Sequence, residues 1–254
     1  MNYINTENPQ TIEQTMRTLK LSGLAKDWRN VEYQNHEQYM RDLLDIEVRE
    51  REANRMARMI KQAGFRVLKS LDNFVWKSGI EVPTSITREE IESASFVKEK
   101  ENLVLMGACG TGKTHLATAI ALSLCEKGRH VRFFTAVGLA NILQEKQQRG
   151  TLSGFMASLR KVELLVLDEI GFVTLHKEAS ELLFQIVSEC YEQKSLIITS
   201  NLEFSQWNTV LGNDKLTAAM IDRLIHHSHI LVFSGPGHRM EEAVQRQRRG
   251  GVEK

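Results

Sequence analysis

Leu103-Val104-Leu105-Met106-Gly107-Ala108-Cys109-Gly110-Thr111-Gly112-Lys113-Thr114 decides the reading of this chain. The four apolar residues predict a strand, and the eight that follow match G-x-x-x-x-G-K-[ST]. Behind them Leu116, Ala117, Ile120, Ala121 and Leu124 recur at helical spacing. Strand, glycine-rich turn and helix form the context in which this motif holds phosphate. Gly107, Gly110 and Gly112 let backbone N–H groups converge on phosphate oxygens, with Ala108, Cys109 and Thr111 completing the loop. The new helix points its positive end the same way. Lys113 is expected to reach the β- and γ-phosphates, and the Thr114 hydroxyl to hold Mg²⁺.

Downstream, strands and helices alternate. Strands are expected at Leu103 to Met106, Val131 to Thr135, Leu164 to Asp168, Leu196 to Thr199 and Ile230 to Phe233, with longer helices at Lys113 to Glu126, Lys177 to Tyr191 and Leu216 to His227. Short, nearly continuous apolar strands separated by helices imply an α/β fold with a five-stranded parallel sheet covered on both faces. Such a sheet binds ligands at the carboxyl ends of its strands, where the phosphate loop lies.

The strand Leu164-Leu165-Val166-Leu167 ends in Asp168-Glu169, 54 residues after Thr114 (168 − 114). An apolar strand carries two acids to the sheet edge there. Asp168 is placed to organise Mg²⁺, and Glu169 to polarise an attacking water. The next strand ends in Thr199-Ser200-Asn201, and the Asn201 amide is either a water-orienting or γ-phosphate-sensing group or a turn cap. Arg223 stands alone on an otherwise apolar helix, as an arginine finger for a neighbouring subunit or as the partner of a local acid such as Asp222. Arg239, after the last strand, can turn back onto the γ-phosphate.

Upstream, residues 10 to 75 read as helices, with breaks at Gly23 and Gly64. This gives a helical N-terminal domain over 1–76, a linker with a short helix over 77–101, and the phosphate-loop domain over 102–254. Thr87-Arg88-Glu89-Glu90 is a capping-box pattern that starts the short helix. Arg55, Arg58, Lys61, Arg66 and Lys69 occur between Ala53 and Leu71 with no acid among them. They are either a contact surface for DNA phosphates or a solvated face, and both readings stay open. Glu47, Glu50 and Glu52, interleaved with Arg49 and Arg51, read as a salt-bridged exposed helix.

A net charge of +1 confines any basic surface to a local patch. Cys109, Cys125 and Cys190 have neither disulfide nor zinc-ribbon spacing, which favours a reducing compartment. His226, His227 and His229 tempt a metal reading, but no cysteine or carboxylate completes a convincing ligand set. The Arg246, Arg248 and Arg249 tail is a further basic stretch, read as a DNA contact or a disordered end. With no signal-peptide pattern and no run of 18 apolar residues, a soluble cytoplasmic protein without membrane contact is expected.

The order of these motifs resembles the AAA+ ATPases of the initiator and helicase-loader clade, the DnaA and DnaC group. More closely it resembles the IstB family of insertion-sequence helper ATPases. The phosphate loop, Leu-Asp-Glu-Ile-Gly at 167–171, Ile-Thr-Ser-Asn at 198–201, Trp207 and Asp-Arg-Leu-Ile-His-His at 222–227 carry the likeness, as do Leu19 to Leu24 and Glu47 to Arg58. The segment Gly-Pro-Gly-His-Arg at 235–239 departs from the related Gly-x-Ser-Tyr-Arg. The resemblance implies Walker A at Gly107 to Thr114, Walker B at Asp168 and Glu169, sensor 1 at Asn201, the arginine finger at Arg223 and sensor 2 at Arg239. It also implies a helical insertion at about 137–161, bearing Lys146, Arg149, Arg160 and Lys161 toward DNA. ATP and Mg²⁺ are then the expected cofactors. Duplex DNA, a transposase and further copies of the chain in a ring or helix are the expected partners. A DnaC-like helicase loader and an ATP-switched adaptor without DNA contact remain the alternatives.

Overall fold

A computed structural model of the protein describes residues 11–235 and Gly237. The described chain divides at Arg58/Met59 into two compact units. In the first lie α1 (Ile12–Thr18), α2 (Ser22–Asp27) and most of α3 (His36–Ala63). The second contains β1 (Ile80–Glu81), α4 (Arg88–Ser93), β2 (Asn102–Gly107), α5 (Lys113–Glu126), β3 (Val131–Thr135), α6 (Ala136–Gln148) and α7 (Leu152–Arg160). It continues with β4 (Leu164–Ile170), α8 (Lys177–Cys190), β5 (Ser195–Ser200), α9 (Asn208–Leu211), α10 (Asp214–His226) and β6 (Ser228–Phe233). None of the described helices is long and apolar enough to cross a membrane.

The sheet runs β1-β6-β2-β5-β4-β3. Five strands are parallel, as the alternating pattern predicts, and β1 adds a sixth, antiparallel to β6 through Ile80↔Phe233. Two residues are too few to show alternation, so β1 leaves no sequence signal. The middle residues of the central strands are apolar because both faces are covered. Leu164 and Val166 of β4 turn to one core, with Leu103, Leu105, Ile197 and Leu231 and the α5 residues Leu116, Ile120 and Leu124. Leu165 and Leu167 turn to the other, with Leu196 and Ile198, α6, α8, α10 and the fully buried Trp207. Successive residues facing opposite cores is the period of two that a strand imposes.

Two expectations about the helical region need correction. Gly23 does not break a helix: it lies inside α2, and the interruption falls instead between Thr18 and Ser22. A Cβ at Gly23 would come within 2.7 Å of Glu50 Cβ, so glycine there permits close packing of α2 on α3. Nor is Glu47 an exposed partner in a charged stripe, for it is 4% exposed. Its Oε2 accepts the Gly23 and Leu24 N–H groups at 2.9 and 3.3 Å, and its Oε1 accepts Arg51 Nε at 2.7 Å. Burial opposes ionisation, but Arg51 and the two amides outweigh it and hold the carboxyl below its usual range. Gly64 does end α3, at φ +84°.

Residues 59–76, expected within the helical domain, pack instead into the core of the second unit. Met59 and Ala63 are buried there, and Phe65, Leu71, Phe74 and Trp76 lean on the same cluster. The capping box at Thr87 forms as read, with Thr87 Oγ1 accepting Glu90 N–H at 3.2 Å and Glu90 Oε2 accepting Thr87 N–H at 2.8 Å.

Candidate nucleotide site

The phosphate loop leaves β2 at its carboxyl end and closes onto α5, for which Gly112 is the N-terminal cap at φ +108°. Gly107 sits at φ +140°, and a Cβ on it would stand 2.1 Å from the Phe233 carbonyl of β6. Glycine is therefore required twice over, by dihedral and by space. Lys113 Nζ donates to the Gly107 and Ala108 carbonyls, both at 2.6 Å. Burial pushes this ammonium below its ordinary value, with Cys109 and Asp168 acting against the shift. Thr111 Oγ1 donates to the Ala108 carbonyl at 2.8 Å and stiffens the turn. Cys109 is exposed. Beside the loop, Phe74 lies 3.5 Å from the place a Gly112 Cβ would take, and His115 Nε2 lies 3.2 Å from the Ser70 carbonyl.

The acid pair arrives on β4, which is separated from β2 by β5. Asp168, 3% exposed, accepts the Thr114 hydroxyl at 2.9 Å and the Thr199 hydroxyl at 2.5 Å, both on Oδ1. Thr199 Oγ1 in turn accepts the Glu169 N–H at 2.9 Å. Four residues from the start of α5 and the ends of β4 and β5 are thus one hydrogen-bonded unit. The β4–β5 ladder is irregular between Leu167 and Ile170, and Glu169 takes φ +61° within that irregularity. Bulges re-aim side chains in this way, here turning the Glu169 carboxylate off the strand's alternation. The Thr114 hydroxyl and Asp168 carboxylate are hard oxygen donors set side by side, a donor set that fits Mg²⁺.

Thr199 is the residue that sequence reading passed over. Its type is unremarkable for a strand end, and its importance comes from lying beside both acids. Asn201 follows two residues later, with Oδ1 buried and unpartnered among the described residues. It faces Gly171, where a Cβ would approach that oxygen to 2.8 Å. A buried acceptor without a partner costs free energy.

Arg223 is held elsewhere. Its Nη1 donates to the Ala219 carbonyl at 3.2 Å, and its guanidinium carbon lies 4.8 Å from the Phe184 ring centroid. It sits on the last turn of α10, which leads into the amino end of β6, whereas the phosphate loop is at the strands' carboxyl ends. Six-residue strands separate these edges by about 20 Å. Arg239 lies outside the described residues, as do Arg246, Arg248 and Arg249. Gly237 itself lies against the loop, since a Cβ on it would stand 2.5 Å from the Cys109 carbonyl.

A profile of the family described as IstB-like ATP binding protein matches residues 14–246. The chain belongs to the IstB-like family. Among its relatives, an insertion-sequence ATP-binding protein of Geobacillus stearothermophilus is 31% identical over 92% of this chain and 95% of its own length. Another, from the insertion sequence IS21 of Pseudomonas aeruginosa, is 32% identical over 86% of this chain and 80% of its own length. In fold, this IstB-like chain is similar to the DnaC helicase loader, with 26% identity, a TM-score of 0.51, and coverage of 65% of this chain and 96% of the other. DnaA of Aquifex aeolicus with bound AMPPCP shares the fold at 21% identity and a TM-score of 0.54, over 73% of this chain and 56% of the other. The IstB-like chain therefore has the AAA+ fold.

The basic positions are distributed as follows. Arg55, Arg58, Lys61, Arg66 and Lys69 are all exposed, with Arg66 Nη2 donating to Thr135 Oγ1 at 3.4 Å. The stretch 137–161 forms α6 and α7, and both bury side chains in the second core rather than standing clear of it. Arg149 pairs with Glu145 at 3.0 Å and Arg160 with Glu189 at 3.9 Å, while Lys146 is half-buried and Lys161 exposed.

Proposed function

We propose that this chain is an ATP-hydrolysing assembly factor that oligomerises on duplex DNA and assists an insertion-sequence transposase. The observation that carries the reading is the Thr114–Asp168–Thr199–Glu169 unit, which couples the phosphate loop to the acid pair. Thr114 and Asp168 would hold Mg²⁺, which when bound neutralises charge on the phosphates. Lys113 brings a cation to the β- and γ-phosphates. Glu169 orients and accepts a proton from the attacking water, and the Asn201 amide completes the water's hydrogen bonds. Arg223 cannot serve its own loop from the far edge of the sheet. It serves the γ-phosphate held by a neighbouring copy, so nucleotide joins subunits and hydrolysis releases them. Arg239 is proposed as a second phosphate sensor.

The exposed cations of residues 55–69, with Lys146, Arg149, Arg160 and Lys161, are proposed as contacts to DNA phosphates that carry no sequence information. The relatives' names place them in insertion sequences, which supports transposase as the partner. The likeness to a DnaC helicase loader, spanning nearly all of that chain, supports the second reading of a helicase loader.

The test is the Glu169→Gln protein, mixed with duplex or single-stranded DNA and with ATP or ADP while particle size is followed. Large particles on duplex with ATP alone are expected, and Lys113→Ala should abolish them. Normal ATP turnover in Glu169→Gln would sink the role given to that carboxylate. A preference for single strands, with capture of a replicative helicase, would move the assignment to helicase loading.

A further inference from the structure

The amino edge of the sheet carries a cluster that the phosphate chemistry does not use. α8 and α10 pack side by side in the second core, and the turns that follow them lead into β5 and β6. The first turn contributes Glu192, and the end of α10 contributes His226 and His227. One ligand atom from each of these three lies within 4.8 Å of the other two. His227 Nε2 is 3.6 Å from Glu192 Oε1, and the two imidazole rings stand edge to face with centroids 4.2 Å apart. From the sequence, no cysteine or carboxylate completed a ligand set with the histidines. The fold supplies one from 34 residues upstream (226 − 192).

We propose that Glu192, His226 and His227 bind a divalent transition-metal ion of the Zn²⁺ class. Ligand atoms about 2.1 Å from a tetrahedral ion lie roughly 3.4 Å from one another, so the observed spacing closes by small rotations of accessible side chains. Two imidazoles and one carboxylate suit Zn²⁺, Ni²⁺ or Cu²⁺ rather than Mg²⁺ or Ca²⁺, which separates this site from the oxygen donors at the phosphate loop. Three protein ligands leave a fourth position for water or an outside donor.

One further feature supports the assignment. The Tyr191 hydroxyl lies 3.0 Å from His226 Nδ1 and fixes that ring, as outer partners of metal-bound histidines do. His229, by contrast, is already committed to Ser85 and Glu101, at 2.8 Å each, and takes no part. Nor does Arg223 compete for the spot, since its guanidinium is directed onto Phe184 and back along α10. A bound ion ties the last turn of α10 to the α8–β5 turn and so stiffens the helix that bears Arg223.

The test uses the full chain, stripped with a chelator and titrated calorimetrically with Zn²⁺ in the absence of nucleotide and Mg²⁺. Binding of a single ion per chain is expected, with a rise in melting temperature as zinc is added. Tyr191→Phe should weaken binding about tenfold, the usual effect of losing an outer partner. The double variant His226→Ala/His227→Ala should lose both the binding and the thermal shift while keeping the wild-type circular dichroism. Failure of the wild-type chain to bind at micromolar zinc overturns the proposal. Undiminished binding by the double variant does the same, by placing the ion on other groups such as the cysteines.

Discussion

Replacing Thr199 by valine removes one hydroxyl and almost nothing else, because the two side chains share a shape. In this structure that hydroxyl is 1% exposed in its residue, donates to Asp168 at 2.5 Å and accepts from the Glu169 amide at 2.9 Å. A hydrogen bond to a carboxylate contributes about 1.5–3 kcal/mol, and an amide left without a partner costs about 1 kcal/mol when water can partly reach it. Asp168 keeps the Thr114 hydroxyl, so it is weakened rather than orphaned. The expected loss is therefore about 3 kcal/mol in urea denaturation. If the proposed ATPase chemistry holds, turnover should fall at least about tenfold, since roughly 1.4 kcal/mol of misplacement suffices for that. Thr199→Ser, which keeps the hydroxyl, should recover most of both. A Thr199→Val protein within about 0.5 kcal/mol of wild type, with unchanged turnover, would refute the claim that this hydroxyl couples the acids to the loop.

Other substitutions test other parts of the argument. Gly107→Ala would set a Cβ 2.1 Å from a strand carbonyl at φ +140° and should cost at least about 2 kcal/mol, whereas Gly150→Ala, at φ +66° but in open space, should cost only about 1; paired thermal melts decide. Trp207→Ala should destabilise by about 3–5 kcal/mol, because the ring is fully buried among α8, α10 and the sheet; a smaller loss would show that the site collapses on deletion. The Glu47 carboxyl is held below its unfolded range, so its contribution is present at neutral pH and fades as pH falls through the folded value. Glu47→Gln should accordingly be less stable than wild type near neutrality, with the gap narrowing in acid; a gap independent of pH in denaturation series would contradict this.

What was legible in the sequence was whatever depends on one segment at a time. Apolar runs gave the five parallel strands, and Lys113 to Glu126 matches α5 at both ends because Gly112 caps one end and Gly128, at φ +78°, closes the other. The parts of the site that were hard to foresee are those made between segments. Thr199 acquires its role only when β4 and β5 align in register. Glu47 looked like one charge in a stripe, and only the docking of α2 makes it a buried cap. Glu192 and the histidines, far apart in sequence, meet because two helices pack and their following turns converge. Local pattern carries no trace of such meetings.

Glu169 occupies the left-handed region, a conformation in which glycine is relaxed and a branched chain of atoms is not. The protein thus holds roughly 1–2 kcal/mol of backbone strain at the position where the reactive carboxylate is proposed. Selection for stability alone would drift that position toward glycine and erase the acid. A library of this chain screened only for heat resistance should therefore lose the glutamate early.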